Sequence, residues 1–152
     1  MAQYVGGAVG RQTDIETGAF RPANELIDDV VAADARLEAA WAATTDRGWA
    51  GHGLSLAGEI STVVMPSRRL MESEMHRIDL GLIGTHEYTF ADLSNDFVGL
   101  ETRRLTALWA SRQPMGLTSL SPVALRLSPP ERLAWLVGRI EVGGLAPAGV
   151  FW

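Results

Sequence analysis

Leu26, Val30, Ala33, Leu37 and Trp41 recur at three- and four-residue intervals, flanked by Ile27 and Val31, and define the longest amphipathic stripe in the chain. The spacing predicts a helix over "RPANELIDDVVAADARLEAAWAATTD", with Pro22 in its first turn. Asp28, Asp29, Asp34 and Glu38 then read as a solvated face and not as a metal cluster. Met71, Met75, Ile78 and Leu82 form a second stripe, started by Pro66 and Ser67. Phe97, Leu100, Leu105, Leu108 and Trp109 suggest a buried helix in "NDFVGLETRRLTALWASR". In "SPPERLAWLVGR" a capping box runs from Ser128 to Glu131 with Pro129 at the first helical position. Leu133, Leu136 and Val137 would bury that short helix, with Trp135 adding to the contact.

The intervening stretches are weaker in pattern. "GRQTDIETGAF" has only Ile15 and Phe20 as large anchors, and "LSLAGEISTVV" combines turn and β-branched residues as a short extended excursion or hairpin would. His52, between glycines, and His86, beside Glu87, read as exposed loop histidines. "GLIGTHEYTFADLSNDF" is a loop closed by an aspartate-rich turn. "QPMGLTSLSPVALRL" leans toward strand and is interrupted by proline, and "VGGLAPAGVFW" ends the chain as loop. No internal repeat is present. The expected architecture is a mainly α protein: a helical body over residues 1–113 and a small α/β appendage over 114–152.

Composition narrows the partners. The chain has 152 residues, 47% hydrophobic and 20% charged, which suits one globular domain with a real core. A net charge of -5 with scattered arginines offers no basic field, so nucleic acid is not an expected partner. No apolar run reaches membrane-spanning length, and "MAQYVGGAVGRQTD" lacks the features of a signal peptide; a cytoplasmic location is expected. There is no cysteine, which leaves no disulfide, cysteine-type zinc site or cysteine nucleophile. Thiol chemistry would need a thiol from outside.

Candidate chemistry concentrates in "RRLMESEMHRIDLG", residues 68 to 81. On a helix, Glu72 and His76 lie one turn apart on one face, and Asp79 continues that row. A carboxylate and an imidazole on consecutive turns can share one metal ion. They can equally form an i,i+4 surface pair, and the residues alone favour that plainer reading.

The same segment, with "YTFADL" after it, resembles the mycothiol-dependent maleylpyruvate isomerase family, in which arginine and glutamate are followed after three residues by histidine, then Asp-Leu-Gly and Tyr-Thr-x-Ala-Asp. "RQTDIETGAFRPANELIDDV" is similar to that family's Arg-x-x-Asp-Ile-Glu-x-Gly-Ala segment and the helix beyond it, and "LAWLVGR" and the terminal "FW" to its C-terminal end. The resemblance implies a DinB-like helical bundle with a small C-terminal α/β domain. It also implies a divalent metal, usually zinc, held by two histidines and a glutamate, and mycothiol as the thiol that assists cis–trans isomerisation. Carried over by motif, Glu72 and His76 match the glutamate and second histidine of the metal site. Arg11 and Arg139 match arginines that face a small carboxylate substrate, and Asp79 is placed to orient His76 or to cap the helix end.

The family's first histidine ligand belongs to a Gly-Trp-x-x-x-x-x-x-His-Leu segment that the resemblance places ahead of Met1. With two ligands on one helix, weak and exchangeable metal binding is expected. A bundle without its first two helices would also expose apolar faces, to be covered by a second copy or a helper chain. Besides the isomerase, two other functions follow: a non-enzymatic helical interaction module, and a mycothiol S-transferase-like enzyme.

Overall fold

A computed structural model of the chain describes residues 5–55, 58–81, 86–114 and 119–150. Among them are seven α-helices and one two-stranded antiparallel sheet, so the mainly α expectation holds. The chain divides into two compact units, Met1–Arg68 and Arg69–Trp152.

In the first unit, α1 (Gly7–Gly18) and α2 (Ala23–Ala42) are joined by a short turn. Pro22 stands just before α2, not within it, with φ -55° and ψ 141°; its fixed ring angle sets the direction of entry. Arg21 ties the start of α2 down by pairing with Asp29, and with Glu25 at 3.5 Å. Thr45 then caps the single turn α3 (Asp46–Trp49), its Oγ1 accepting from the Gly48 N–H at 3.3 Å.

Of the two forms that "LSLAGEISTVV" allows, an extended excursion or a hairpin, the hairpin forms, as β1 (His52–Ser55) and β2 (Gly58–Ser61), paired from His52 with Ser61 to Ser55 with Gly58. It begins two residues earlier, and Thr62–Val64 is a 3-10 turn instead of strand. His52 is therefore a strand residue, exposed as expected. The helical stripe of α2 also forms, but none of its members is buried: Leu26 is 38% exposed, Ile27 62% and Val30 63%. Ile15 and Phe20, expected as anchors, are exposed too, at 48% and 90%. An amphipathic pattern fixes which side of a helix is apolar, not what lies against it.

The second unit holds the core. Helix α4 (Met65–Leu80), whose first turn belongs to the preceding unit, buries Met71 and Met75 one turn apart, with Ile78 packed partly alongside; Leu82 lies outside the described residues. Gly81 ends the helix at φ 67°, a left-handed conformation that a Cβ would strain, and its N–H reaches Ile78 O at 3.0 Å. Ser94 caps α5 (Asn95–Ser111), which buries Phe97, Val98, Glu101 and Leu105. Leu100, expected inside, is 48% exposed.

Residues 119–150, read from the sequence as a separate appendage, share this core with α4 and α5, and no strand occurs among them. The stretch read as leaning toward strand contains α6 (Pro122–Arg126) instead. Ser121 at its N-cap and Pro122 in its first turn start a helix, overriding the β-branched signal. Arg132 donates to the carbonyls of Ala124, Leu125 and Leu127 at 3.0, 2.7 and 3.0 Å, satisfying the end of that short helix.

Helix α7 (Pro129–Leu136) starts with the expected capping box: Ser128 N–H meets Glu131 Oε2 at 2.9 Å, and Glu131 N–H meets Ser128 Oγ at 3.4 Å. It packs on α5 and buries Leu133, Ala134, Trp135 and Leu136. The terminal loop is held to this core by Trp135 Nε1 on Ala146 O at 3.1 Å, and by Arg112 Nη1 on Gly149 O at 2.8 Å.

Candidate functional site

Met71 and Met75 decide where Glu72 and His76 lie. Each is one residue before a member of the polar pair, so burying the methionines leaves Glu72 and His76 at the core edge, their side chains 50% and 60% exposed. His76 Nε2 stands 3.5 Å from Glu72 Oε2. Two donors about 2.1 Å from a tetrahedral zinc lie about 3.4 Å apart, so the observed spacing fits two corners of such a site. Among the described residues no three or more His, Asp or Glu side chains are grouped so that they could hold a metal ion. The pair therefore fits a share of a metal site rather than a closed one.

The other ring nitrogen of His76 faces Asp79: Nδ1 is 3.4 Å from Asp79 Oδ2, longer than an ordinary hydrogen bond. Asp79 in turn receives a two-pronged bond from Arg139, whose Nε donates to Oδ1 at 3.0 Å and whose Nη2 donates to Oδ2 at 2.7 Å. The guanidinium hydrogen-bonded to it holds the Asp79 carboxyl below its usual range, against some desolvation; His76 adds a smaller pull.

Arg139 reaches Asp79 because of how α7 ends. Gly138 takes φ 73°, its N–H bonds Trp135 O at 3.0 Å, and Arg139 N–H bonds Ala134 O at 2.8 Å, the double closure of a glycine-terminated helix. The local signal was the glycine in "LVGR"; its partner 60 residues away was not legible. Arg11, the other arginine singled out, lies exposed on α1 in the first unit.

The "YTFADL" segment is fastened to α4 from the next turns. Tyr88 Oη donates to Glu74 Oε2 at 2.8 Å, and the Arg77 guanidinium carbon lies 3.8 Å from the Tyr88 ring centre, a cation–π contact. Burial, and then the bond to Glu74, push the Tyr88 hydroxyl pKa up. A cavity of about 750 Å³ opens beside Arg139 in sequence, lined by Trp135, Gly138, Ile140, Glu141 and the turn as far as Pro147.

His86 is 69% exposed, as expected, yet it is held: its Nε2 lies 2.9 Å from Asp92 Oδ1. Asp92 Oδ2 accepts from the Thr89 N–H and hydroxyl at 2.8 and 2.9 Å. These contacts, His86 first, lower the Asp92 pKa to about 2. Because the folded value is depressed, this carboxylate's contribution to stability is whole above the ordinary value of 3.8 and is lost as pH falls from there toward about 2. In His86→Ala the midpoint of Asp92, followed by carboxyl NMR, is expected to rise but stay below the ordinary value, because Thr89 still donates. An unchanged midpoint would show that His86 does not hold the carboxylate.

No helix among the described residues is long and apolar enough to cross a membrane. Curated proteins and solved structures contain no match to the chain. The sequence profile described as "Mycothiol maleylpyruvate isomerase N-terminal domain" matches residues 1–81. That span contains Arg11, Glu72, His76 and Asp79 and covers more than half of the 152 residues. The chain thus belongs to the mycothiol maleylpyruvate isomerase N-terminal domain family.

Proposed function

We propose that the protein acts in the cytoplasm as a metal- and mycothiol-dependent cis–trans isomerase of a small unsaturated carboxylate. The observation that carries this reading is the Glu72/His76 pair, spaced at 3.5 Å as two corners of a tetrahedral site and lying inside the matched span. Glu72 offers a carboxylate oxygen and His76 its Nε2 lone pair. The chemistry that a cation such as zinc supplies there is deprotonation of a mycothiol thiol near neutral pH, which makes reversible addition to a cis double bond feasible. Because the chain has no cysteine, the sulfur comes from a separate molecule. Arg11 is the cation assigned to the substrate carboxylate, for which a planar guanidinium is well shaped. Nucleic acid and membranes are not partners in this reading.

The test is zinc titration of the metal-stripped chain by calorimetry, with Glu72→Ala and His76→Ala alongside. The expected result is one zinc per chain in the wild type and affinity at least about ten-fold lower in each variant. Isomerisation of a cis dicarbonyl acid in the presence of mycothiol should then fall in the same order. If the thiol were instead consumed by an electrophile, the S-transferase reading would replace the isomerase.

Equal zinc affinity in all three proteins would remove the enzyme reading. The interaction-module alternative would then follow from one observation, the exposed row Leu26, Ile27, Val30 and Val31 on α2. Light scattering of the Val30→Asp variant, compared with wild type, would show whether that row joins two copies.

A further inference from the structure

Arg139, which the family resemblance places against a substrate carboxylate, already carries a carboxylate of its own chain. Its Nε and Nη2 close on the two oxygens of Asp79, and its Nη1 donates to Val137 O at 3.0 Å. The side chain is only 17% exposed, the most enclosed of the four that run from Glu72 to Arg139. The closed end of α7 sets its direction as well, through the Arg139 N–H to Ala134 O bond of 2.8 Å.

We infer that Asp79 is a positioning residue for His76 and that Arg139 acts through Asp79, holding its carboxylate in place beside the ring. The inference rests on the metal-site reading of Glu72 and His76.

Half-exposed histidines rotate freely about two side-chain bonds, and a ligand that rotates binds a metal poorly because the ordering must be supplied on binding. Asp79 opposes that freedom. Carboxylates flank both ring nitrogens, Glu72 at 3.5 Å from Nε2 and Asp79 at 3.4 Å from Nδ1. Glu72 is the more exposed of the two and Asp79 is fixed by the two bonds from Arg139, so Asp79 draws the proton to Nδ1 and leaves the Nε2 lone pair toward Glu72. Asp79 would turn elsewhere just as easily if it were unsupported, since it sits in the last turn of α4. Two parallel bonds from one guanidinium constrain both position and plane, which a single ammonium contact does not. The ordered direction is therefore Arg139 to Asp79, Asp79 to the His76 ring, and the ring to the face shared with Glu72. A plain staple between the end of α7 and α4 would strengthen folding but leave the tautomer of His76 and its metal affinity unchanged.

The experiment uses the full chain and the near-isosteric variants Asp79→Asn and Arg139→Lys, with thermal melts recorded for each. Long-range nitrogen–proton NMR of the metal-free proteins, at about pH 8 where an ordinary imidazole is neutral, reads the His76 tautomer directly. Wild type should show the Nδ1-protonated form as the main species. Both variants should shift it toward the Nε2-protonated form, and Arg139→Lys should do so without touching His76 itself. Zinc titration should show affinity roughly ten- to a hundred-fold lower in Asp79→Asn. The double variant should lose no more than Asp79→Asn alone, since both changes act through one carboxylate. An unchanged tautomer in both variants, even with lowered melting temperatures, would reduce the bond to a staple and overturn the inference. If wild type bound no zinc, the metal-site reading would fail by itself, while the tautomer would still decide whether Asp79 positions the ring.

Discussion

Replacing Leu133 with alanine is expected to destabilise the second unit by about 3–4 kcal/mol. Leu133 is 0% exposed and lies on α7, the helix that packs against α5. Truncation there removes buried methyl and methylene groups and leaves a void that neighbours on two helices cannot fill without moving together. The loss reaches the candidate site, since Met71 and Met75 seat α4 in the same core as Leu133. Zinc affinity should weaken at temperatures where the variant begins to open. Urea denaturation followed by tryptophan fluorescence gives the measurement, with a lower midpoint and an unchanged slope as the expected pattern. Leu100→Ala is the matched comparison: at 48% exposure it should cost no more than about 0.5 kcal/mol. Equal losses at Leu100 and Leu133 would show that the close packing between α5 and α7 is not what holds the unit.

Arg104→Ala should be nearly as damaging, at about 2–3 kcal/mol, although the residue changed is partly exposed. Its partner Glu101 is the one buried charged residue among those described, 1% exposed in the stripe between Val98 and Leu105. Arg104 Nε and Nη2 both reach Glu101 Oε2 at 2.7 Å. Without them the carboxylate keeps its desolvation cost and loses its counter-charge, which is worse than having no charge there. The Arg104 side chain is 37% exposed, and water around it screens the pair, which places the loss below that of a fully enclosed ion pair. Glu101→Met should by contrast be close to neutral, and Glu101→Met with Arg104→Ala should recover most of what Arg104→Ala loses. A loss under about 0.5 kcal/mol in Arg104→Ala would mean that other groups satisfy Glu101.

Those two residues also show where reading the chain alone reaches its edge. In α5 the apolar positions pointed to a buried side through Phe97, Leu100 and Leu105, and Leu105 and Phe97 are indeed enclosed. Glu101, four residues from both Phe97 and Leu105, lies on the centre line of that side, while Leu100 lies about 100° round the helix at its margin. A count of apolar residues admits the leucine and passes over the acid, because it takes no account of the surface of α7 that lies opposite or of a partner charge. An acid can hold the centre line because Arg104, three residues on, neutralises it. The same limit appears in α2, where the stripe was read correctly as apolar yet none of its members is buried.

The candidate site divides along similar lines. Glu72 and His76 were legible because four residues of helix bring any such pair onto one face, and the 3.5 Å contact is what that geometry allows. The start of α7 was legible for the same kind of reason, as Ser128 and Glu131 complete their box within one turn. His86 was readable as exposed but not as the partner of Asp92, because the loop between them has no period to fix its path. Asp79 and Arg139 could each be picked out, yet their bond spans 60 residues.

By itself, then, the sequence determined the helical class, the start of α7 and the spacing of Glu72 and His76, all of which depend on residues only a few positions apart. Only the tertiary structure decided that Leu100 faces out and Glu101 in, that residues 119–150 share the core of α4 and α5, and that Arg139 closes on Asp79. Those outcomes turn on which surfaces meet after the helices have formed, and packing between distant segments is not encoded in the period of any one of them.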